Sequence, residues 1–280
     1  MATDLSIAGP VSRASAVPRI AIGTLILGGA VGLILFFLIL PTLIVIPMSL
    51  GTSTYIEFPP RGLTLRWYLD YLRDPDWMAA TLFSLRIALA TTVCATVIGT
   101  LAAIAFVRGN LPGKRAIQAL TLSPMVVPHI VIAIAVYLFF APLRLTGTFF
   151  GFLVAHTMLS VPYVVIMVTA ALQRFDPALE LAALNCGANR GQAFLFVVMP
   201  SIRPGVVAGA VFAFIASFDE ATVAFFLSGT EGKTITRKLF ENIDFNLTPV
   251  IAAVSTLLTM LSLLLMGAIE LSKRRGTDNP

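Results

Sequence analysis

The sequence predicts an all-α integral membrane protein with six transmembrane helices. Three observations carry this. Of 280 residues, 58% are hydrophobic and only 12% are charged, where a soluble domain has about 25% charged residues. Six apolar segments reach the roughly 20 residues a helix needs to cross the hydrocarbon core. Polar, Pro- and Gly-bearing stretches separate them.

The elements follow in order. Residues 1–19 are polar, with Pro10 and Pro18, and read as a cytoplasmic N-terminal tail. The first run, 20–50, is too long for a signal-peptide core and has no small-x-small cleavage site after it, so it stays as the first span. Residues 51–78 form an external, periplasmic segment. The stretch 63–77 alternates aromatic and charged residues, with Trp67, Tyr68, Tyr71 and Trp77. It reads as an interfacial helix with its rings at headgroup depth, or else as a lip for a soluble partner. The core, 79–271, holds the other five spans: 79–107, 116–141, 148–172, 205–227 and 249–271. A tail, 272–280, closes the chain.

Lys and Arg set the orientation. With the N-terminus inside, eleven basic residues (Arg13, Arg19, Arg108, Lys114, Arg115, Arg174, Arg190, Arg203, Lys273, Arg274 and Arg275) face the cytoplasm. Seven (Arg61, Arg66, Arg73, Arg144, Lys233, Arg237 and Lys238) face out, and Arg86 lies within a span. The positive-inside rule then places both termini and the 173–204 loop in the cytoplasm, with Asp70 and Glu231 outside.

That loop is the most informative stretch. Residues 180–200, ELAALNCGANRGQAFLFVVMP, are too polar for lipid. Ala182, Ala183 and Gly187 are small and permit close approach to another surface. Leu184 and Phe194 offer apolar knobs, Gly187 suits a left-handed helix end, and Pro200 and Pro204 break the chain before the fifth span. The bland alternative is an amphipathic loop resting on headgroups.

The loop resembles the cytoplasmic signature of ABC importer permeases: Glu-Ala-Ala, three residues, Gly, nine residues, Ile-x-Leu-Pro. Ala182, Ala183, Gly187 and Pro200 fit it, and Val197 and Met199 stand at the Ile and Leu positions. The motif glutamate falls on Leu181, with Glu180 one place earlier. The resemblance covers roughly 79–271. Ser123–Ile130 (SPMVVPHI), Phe175-Asp176-Pro177 and Ser217–Glu220 (SFDE) look like the spermidine/putrescine type. It implies a type I ABC importer permease-like fold. In that family the loop forms two short helices that dock on an ATPase subunit, where a carboxylate pairs with an ATPase arginine. Glu180, Ala182, Ala183, Leu184, Gly187, Ala188 and Pro200 are then the coupling residues. The implied partners are two cytoplasmic ATPase subunits, a second, similar permease subunit and a periplasmic solute-binding protein, besides membrane lipid.

Asp219 and Glu220 lie in the fifth apolar run, where carboxylates are costly unless a cavity or partner compensates them. They attract a cationic solute, or Asp219 caps a broken helix or pairs with Arg86. Pro124 and Pro128 interrupt the third run and open a kink. His129 follows them, either toward the pathway or bonded to a freed carbonyl. For His156 the sequence supports no role. Polyamine permeases often carry an acid at the position of His129, which leaves room for another nitrogenous or acidic solute.

Other classes are poorly supported. No Gly-rich phosphate loop is present, so ATP hydrolysis belongs to a partner and no cofactor is called for. Two histidines without clustered Cys, Asp or Glu make no metal site, and Cys94 and Cys186 form no disulfide framework. Scattered basic residues argue against nucleic acid. No nucleophile–base pair stands out, so the chain is a transport subunit and not an enzyme. The rival reading is a stand-alone secondary transporter or channel, although no internal repeat supports one.

Overall fold

The computed structural model describes residues 22–229, 232–245 and 248–277, with side chains for 26–229, 232–243 and 248–267. The tail 1–19, Glu231, residues 278–280 and the side chains of Lys273, Arg274 and Arg275 lie outside the described residues. Residues 1–44 and 45–280 form two units. Within the first, helix α1 (Ile22–Met48) begins. Its leucines, isoleucines and phenylalanines are largely exposed, as suits a lipid-facing span.

In the second unit come α2 (Arg66–Arg73), α3 (Pro75–Arg108), α4 (Lys114–Met125), α5 (His129–Phe140) and α6 (Phe149–Arg174). They are followed by α7 (Pro177–Asn185), α8 (Arg190–Phe218), α9 (Thr222–Leu227), α10 (Ile235–Phe245) and α11 (Pro249–Thr277). Among the described residues, five helices are long and apolar enough to cross a membrane: 26–48 in α1, then α3, α6, α8 and 249–267 in α11.

The third apolar run is not one straight span. Its halves, α4 and α5, meet at 101° across the break at residues 126–128, a broken span or re-entrant loop that brings the number to six if counted as one crossing. Pro124 and Pro128 cause the bend, since neither has an N–H to give to the helix.

Local chemistry sets the helix ends. Asp74 caps α3 by accepting from the N–H groups of Asp76 at 2.8 Å and Trp77 at 3.1 Å, with Pro75 at the first position. Thr148 caps α6 through the N–H of Gly151.

Helices α3, α6 and α8 pack as the central layer. Small residues bring them close. A Cβ at Gly99 on α3 would lie 2.6 Å from Val164 Cβ on α6, and one at Gly205 on α8 would lie 2.5 Å from Ala171 Cβ. In lipid such contacts matter, because association rests on packing more than on water exclusion.

Three rings of the aromatic segment after α1 turn into the protein. Trp67, Tyr71 and Trp77 are buried. Trp67 Nε1 donates to the Gly51 carbonyl at 2.7 Å, the Tyr71 hydroxyl meets Thr81 Oγ1 at 2.8 Å, and Tyr71 and Trp77 pack edge to face. The polar tips of Trp67 and Tyr71 have protein partners. Tyr71 and Trp77 build a core with Phe218, Ile235 and Val254.

Candidate functional site

The 173–204 segment begins where Asp176 accepts from the N–H of Ala178 and Pro177 opens α7. Gly187 ends the helix as expected. Its φ is +93°, its N–H reaches the Leu184 carbonyl and the Ala188 N–H reaches that of Ala183. Those two bonds make a Schellman end, which needs a residue free of Cβ strain at Gly187. A reciprocal capping box, Asn189 with Gln192, opens α8.

Pro200 and Pro204 do not break the chain. Helix α8 runs through both as one 29-residue span. A π-turn at Phe194–Val198 accommodates Pro200, with the Met199 N–H bonding the Phe194 carbonyl five residues back. The extra residue in that turn absorbs the missing N–H. The second short helix of the loop is therefore continuous with the helix of the fifth span, which begins at Arg190.

Along this segment Leu179, Leu181, Ala182, Gly187 and Pro200 are exposed. Ala183, Leu184 and Ala188 are half-buried. Phe194, expected as an outward knob, packs into the chain's own core with Val198 and Leu172. Glu180 lies 2.8 Å from Arg108 Nη1 of α3. Its carboxylate is engaged within the chain, while Leu181, at the motif's glutamate position, points outward with 60% of its surface exposed.

A second constellation lies where α8 stops. Residues 219–221 break the helix before α9, so the expected fifth span ends at Phe218. Glu220 is buried, and its Oε1 accepts from the Val223 N–H at 2.9 Å, capping α9. Its Oε2 lies 3.1 Å from His129 Nδ1 at the start of α5. The capping role weighed for Asp219 thus belongs to Glu220, and His129 meets this carboxylate and not a freed carbonyl. Asp219 is exposed, and its carboxylate has no hydrogen bond or ion pair among the described residues. The Arg86 pairing is not formed: Arg86 is exposed on α3 and makes no ion pair among the described residues.

Asp219 lines two cavities. One, of about 390 Å³, is bordered by His129, Tyr163, Phe212, Glu220 and Thr222. The other, of about 590 Å³, is bordered by Phe214, Phe218, Thr236, Phe240 and Ser255. Aromatic rings and hydroxyls surround this carboxylate in both cavities.

Sequence reasoning missed what holds this break. Thr236 Oγ1 donates to the Glu220 carbonyl at 3.0 Å, and the Ile235 N–H donates to Ser84 Oγ at 2.8 Å. His156, fully buried on α6, sets Nδ1 2.9 Å from Ser217 Oγ and 3.1 Å from the Ser217 carbonyl. A histidine and a serine in two apolar runs were the available signal, but nothing in the sequence paired them. No group of three or more His, Cys, Asp or Glu suited to a metal occurs among the described residues.

A bundle of spans with a capped, exposed loop and a carboxylate-lined break fits a membrane permease. The chain belongs to the family described as binding-protein-dependent transport system inner membrane component, whose model matches residues 95–275. It is a permease subunit of an ABC importer and a multi-pass inner membrane protein. Importers of this class combine such permeases with ATPase subunits and a periplasmic binding protein.

The chain is 30% identical over 257 residues to the spermidine/putrescine transport system permease protein PotC of Escherichia coli (strain K12), covering 91% of this chain and 97% of that one. It is 28% identical over 229 residues to the putrescine transport system permease protein PotI of the same strain, covering 79% and 81%. Its fold matches the crystal structure of a bacterial ABC transporter involved in the import of the acidic polysaccharide alginate, with TM-score 0.72, 15% identity and coverage of 90% and 97%. That likeness confirms the type I importer permease architecture.

Proposed function

We propose that this permease admits a small cationic nitrogenous solute, of the polyamine class or related to it, from periplasm to cytoplasm. The carrying observation is Asp219. Its carboxylate has no partner among the described residues and borders both cavities at the helix break. Aromatic walls add cation–π attraction for an ammonium group. Glu220 is committed to capping α9 and to His129, so it shapes the break while Asp219 meets the solute. The two similar permeases named for spermidine and putrescine support this solute class.

Both termini and the 173–204 loop are cytoplasmic in this reading, and 51–78 is periplasmic. Two ATPase subunits drive the importer, and a second, similar permease completes the pathway. The exposed face of Leu179, Leu181, Ala182 and Gly187 seats against an ATPase. An apolar surface on an otherwise aqueous loop favours a protein partner. Closure of the ATPase pair on ATP then moves α7 and the first turn of α8, which is continuous with the span ending at Phe218.

The test is competition for uptake. In proteoliposomes containing the whole importer and its binding protein, putrescine and spermidine should compete for transport while neutral sugars do not. Asp219→Asn should lower uptake and preserve assembly. Uptake of a neutral or anionic solute, untouched by polyamines, would overturn the solute class.

A further inference from the structure

One helix touches both functional regions. Helix α3 has 34 residues, about 50 Å of length. Arg108, in its last turn, lies 2.8 Å from Glu180, and its guanidinium stands 5.5 Å from the centre of the Phe175 ring. Phe175 lies in the link after α6 and Glu180 in the first turn of α7, so the two hold Arg108 from two sides. Phe175 is itself packed against the core of α3, α6 and α8.

Near the other end of α3, buried Ser84 accepts from the Ile235 N–H, and Thr236 beside it donates to the Glu220 carbonyl. From Ser84 to Arg108 the rod spans about 36 Å. A helix of this kind transmits displacement because its backbone bonds are all internal.

Charge placement reinforces the grip. Arg108 sits at the C-terminal end of α3 and Glu180 in the first turn of α7. Each complements the dipole of its own helix as well as the opposite charge. The pair is mostly covered, with side-chain exposures of 30% and 25%, so salt screens it less than a surface pair.

Granting that the 173–204 loop docks an ATPase, we propose that Arg108 is the positioning residue through which the loop moves α3. Glu180 is then its partner within the chain and not a contact to the ATPase. Motion reaches the Glu220 break by two routes: through the continuous α8, and through Arg108 and α3. The surface offered to the ATPase at the motif's acidic position is the apolar Leu181.

The whole importer, with its own ATPase, companion permease and binding protein, is reconstituted and solute moved per ATP hydrolysed is measured. Arg108→Gln and Glu180→Gln should each keep the ATPase bound and lower this ratio at least about threefold, with the double variant no worse than either. The swapped pair, Arg108→Glu with Glu180→Arg, should recover at least about half of the wild-type ratio. The swap also carries the test where a single variant does not assemble. An unchanged ratio in both singles, additive losses, or an assembled swap that does not couple overturns the proposal. So does loss of the ATPase from Glu180→Gln alone, which would make Glu180 a direct docking group. Failure of the docking reading shows separately, as ATPase retention by Gly187→Asp.

Discussion

Replacing Gly187 separates a docking loop from a mere connector. At φ +93° any L side chain is strained, by about 1–2 kcal/mol, and less for Asn. A Cβ there meets no atom of this chain within 4 Å, so no internal collision adds to the strain. Ala and Asn variants should therefore fold and assemble, with uptake reduced no more than about tenfold. Within the chain Asp costs little more than Asn. Its charge is disfavoured by the C-terminus of α7 and favoured by the N-terminus of α8, each worth about 0.3–1 kcal/mol. Against a docked ATPase the same charge is buried without a partner, which costs about 3–5 kcal/mol. That corresponds to at least about 150-fold weaker retention of the ATPase. The assay is pull-down through a tag on this chain, titrated with ATPase, beside uptake in vesicles. If Asp matches Asn in both measurements, the loop does not dock at Gly187 and the reasoning fails.

Four further outcomes are expected. Asp219→Asn should lower uptake of a cationic solute several-fold without loss of complex, whereas Glu220→Gln, which weakens a cap and the His129 contact, should reduce yield or thermal stability; the reverse pattern would exchange their roles. Gly205→Val should destabilise the bundle by about 1–3 kcal/mol through overpacking against Ala171, read from the melting temperature of purified protein. Single cysteines at 189 and 70, with Cys94 and Cys186 removed, should label from inside and outside respectively; external labelling at 189 in intact cells inverts the topology. Burial works to raise the Glu241 carboxyl, but hydrogen bonds from Arg237 and Lys233 outweigh it and hold the group below its ordinary 4.5. Its contribution is therefore present above that value and lost as pH falls through the lower folded one. Being partly exposed, the group contributes no more than about 1 kcal/mol, and Glu241→Gln should flatten this acid limb in a pH–stability series.

How much could be read in advance depended on how local the cause was. Apolar run length alone located α1, α3, α6 and α11, because bilayer thickness sets it. The end of α7 at Gly187 was readable from residues within one turn. Pro200 and Pro204 misled, since a π-turn upstream of them was as compatible with the sequence as a break. The prolines at 124 and 128 announced a bend but not its 101°. The burial of Trp67 and Tyr71 was not readable, because their partners, Gly51 and Thr81, carry no signal of pairing. His129 and Glu220 are 91 residues apart, and Arg108 counted only as a positive charge until Glu180 was seen beside it.

The central claim is that this chain couples ATP hydrolysis on another subunit to solute entry. The measurement that meets it most directly is uptake by proteoliposomes holding this chain with its companion permease and ATPase. The account predicts uptake only when ATP is supplied on the ATPase side and the solute-loaded binding protein on the other. Uptake that proceeds without ATPase or binding protein, driven by an ion gradient, would contradict it.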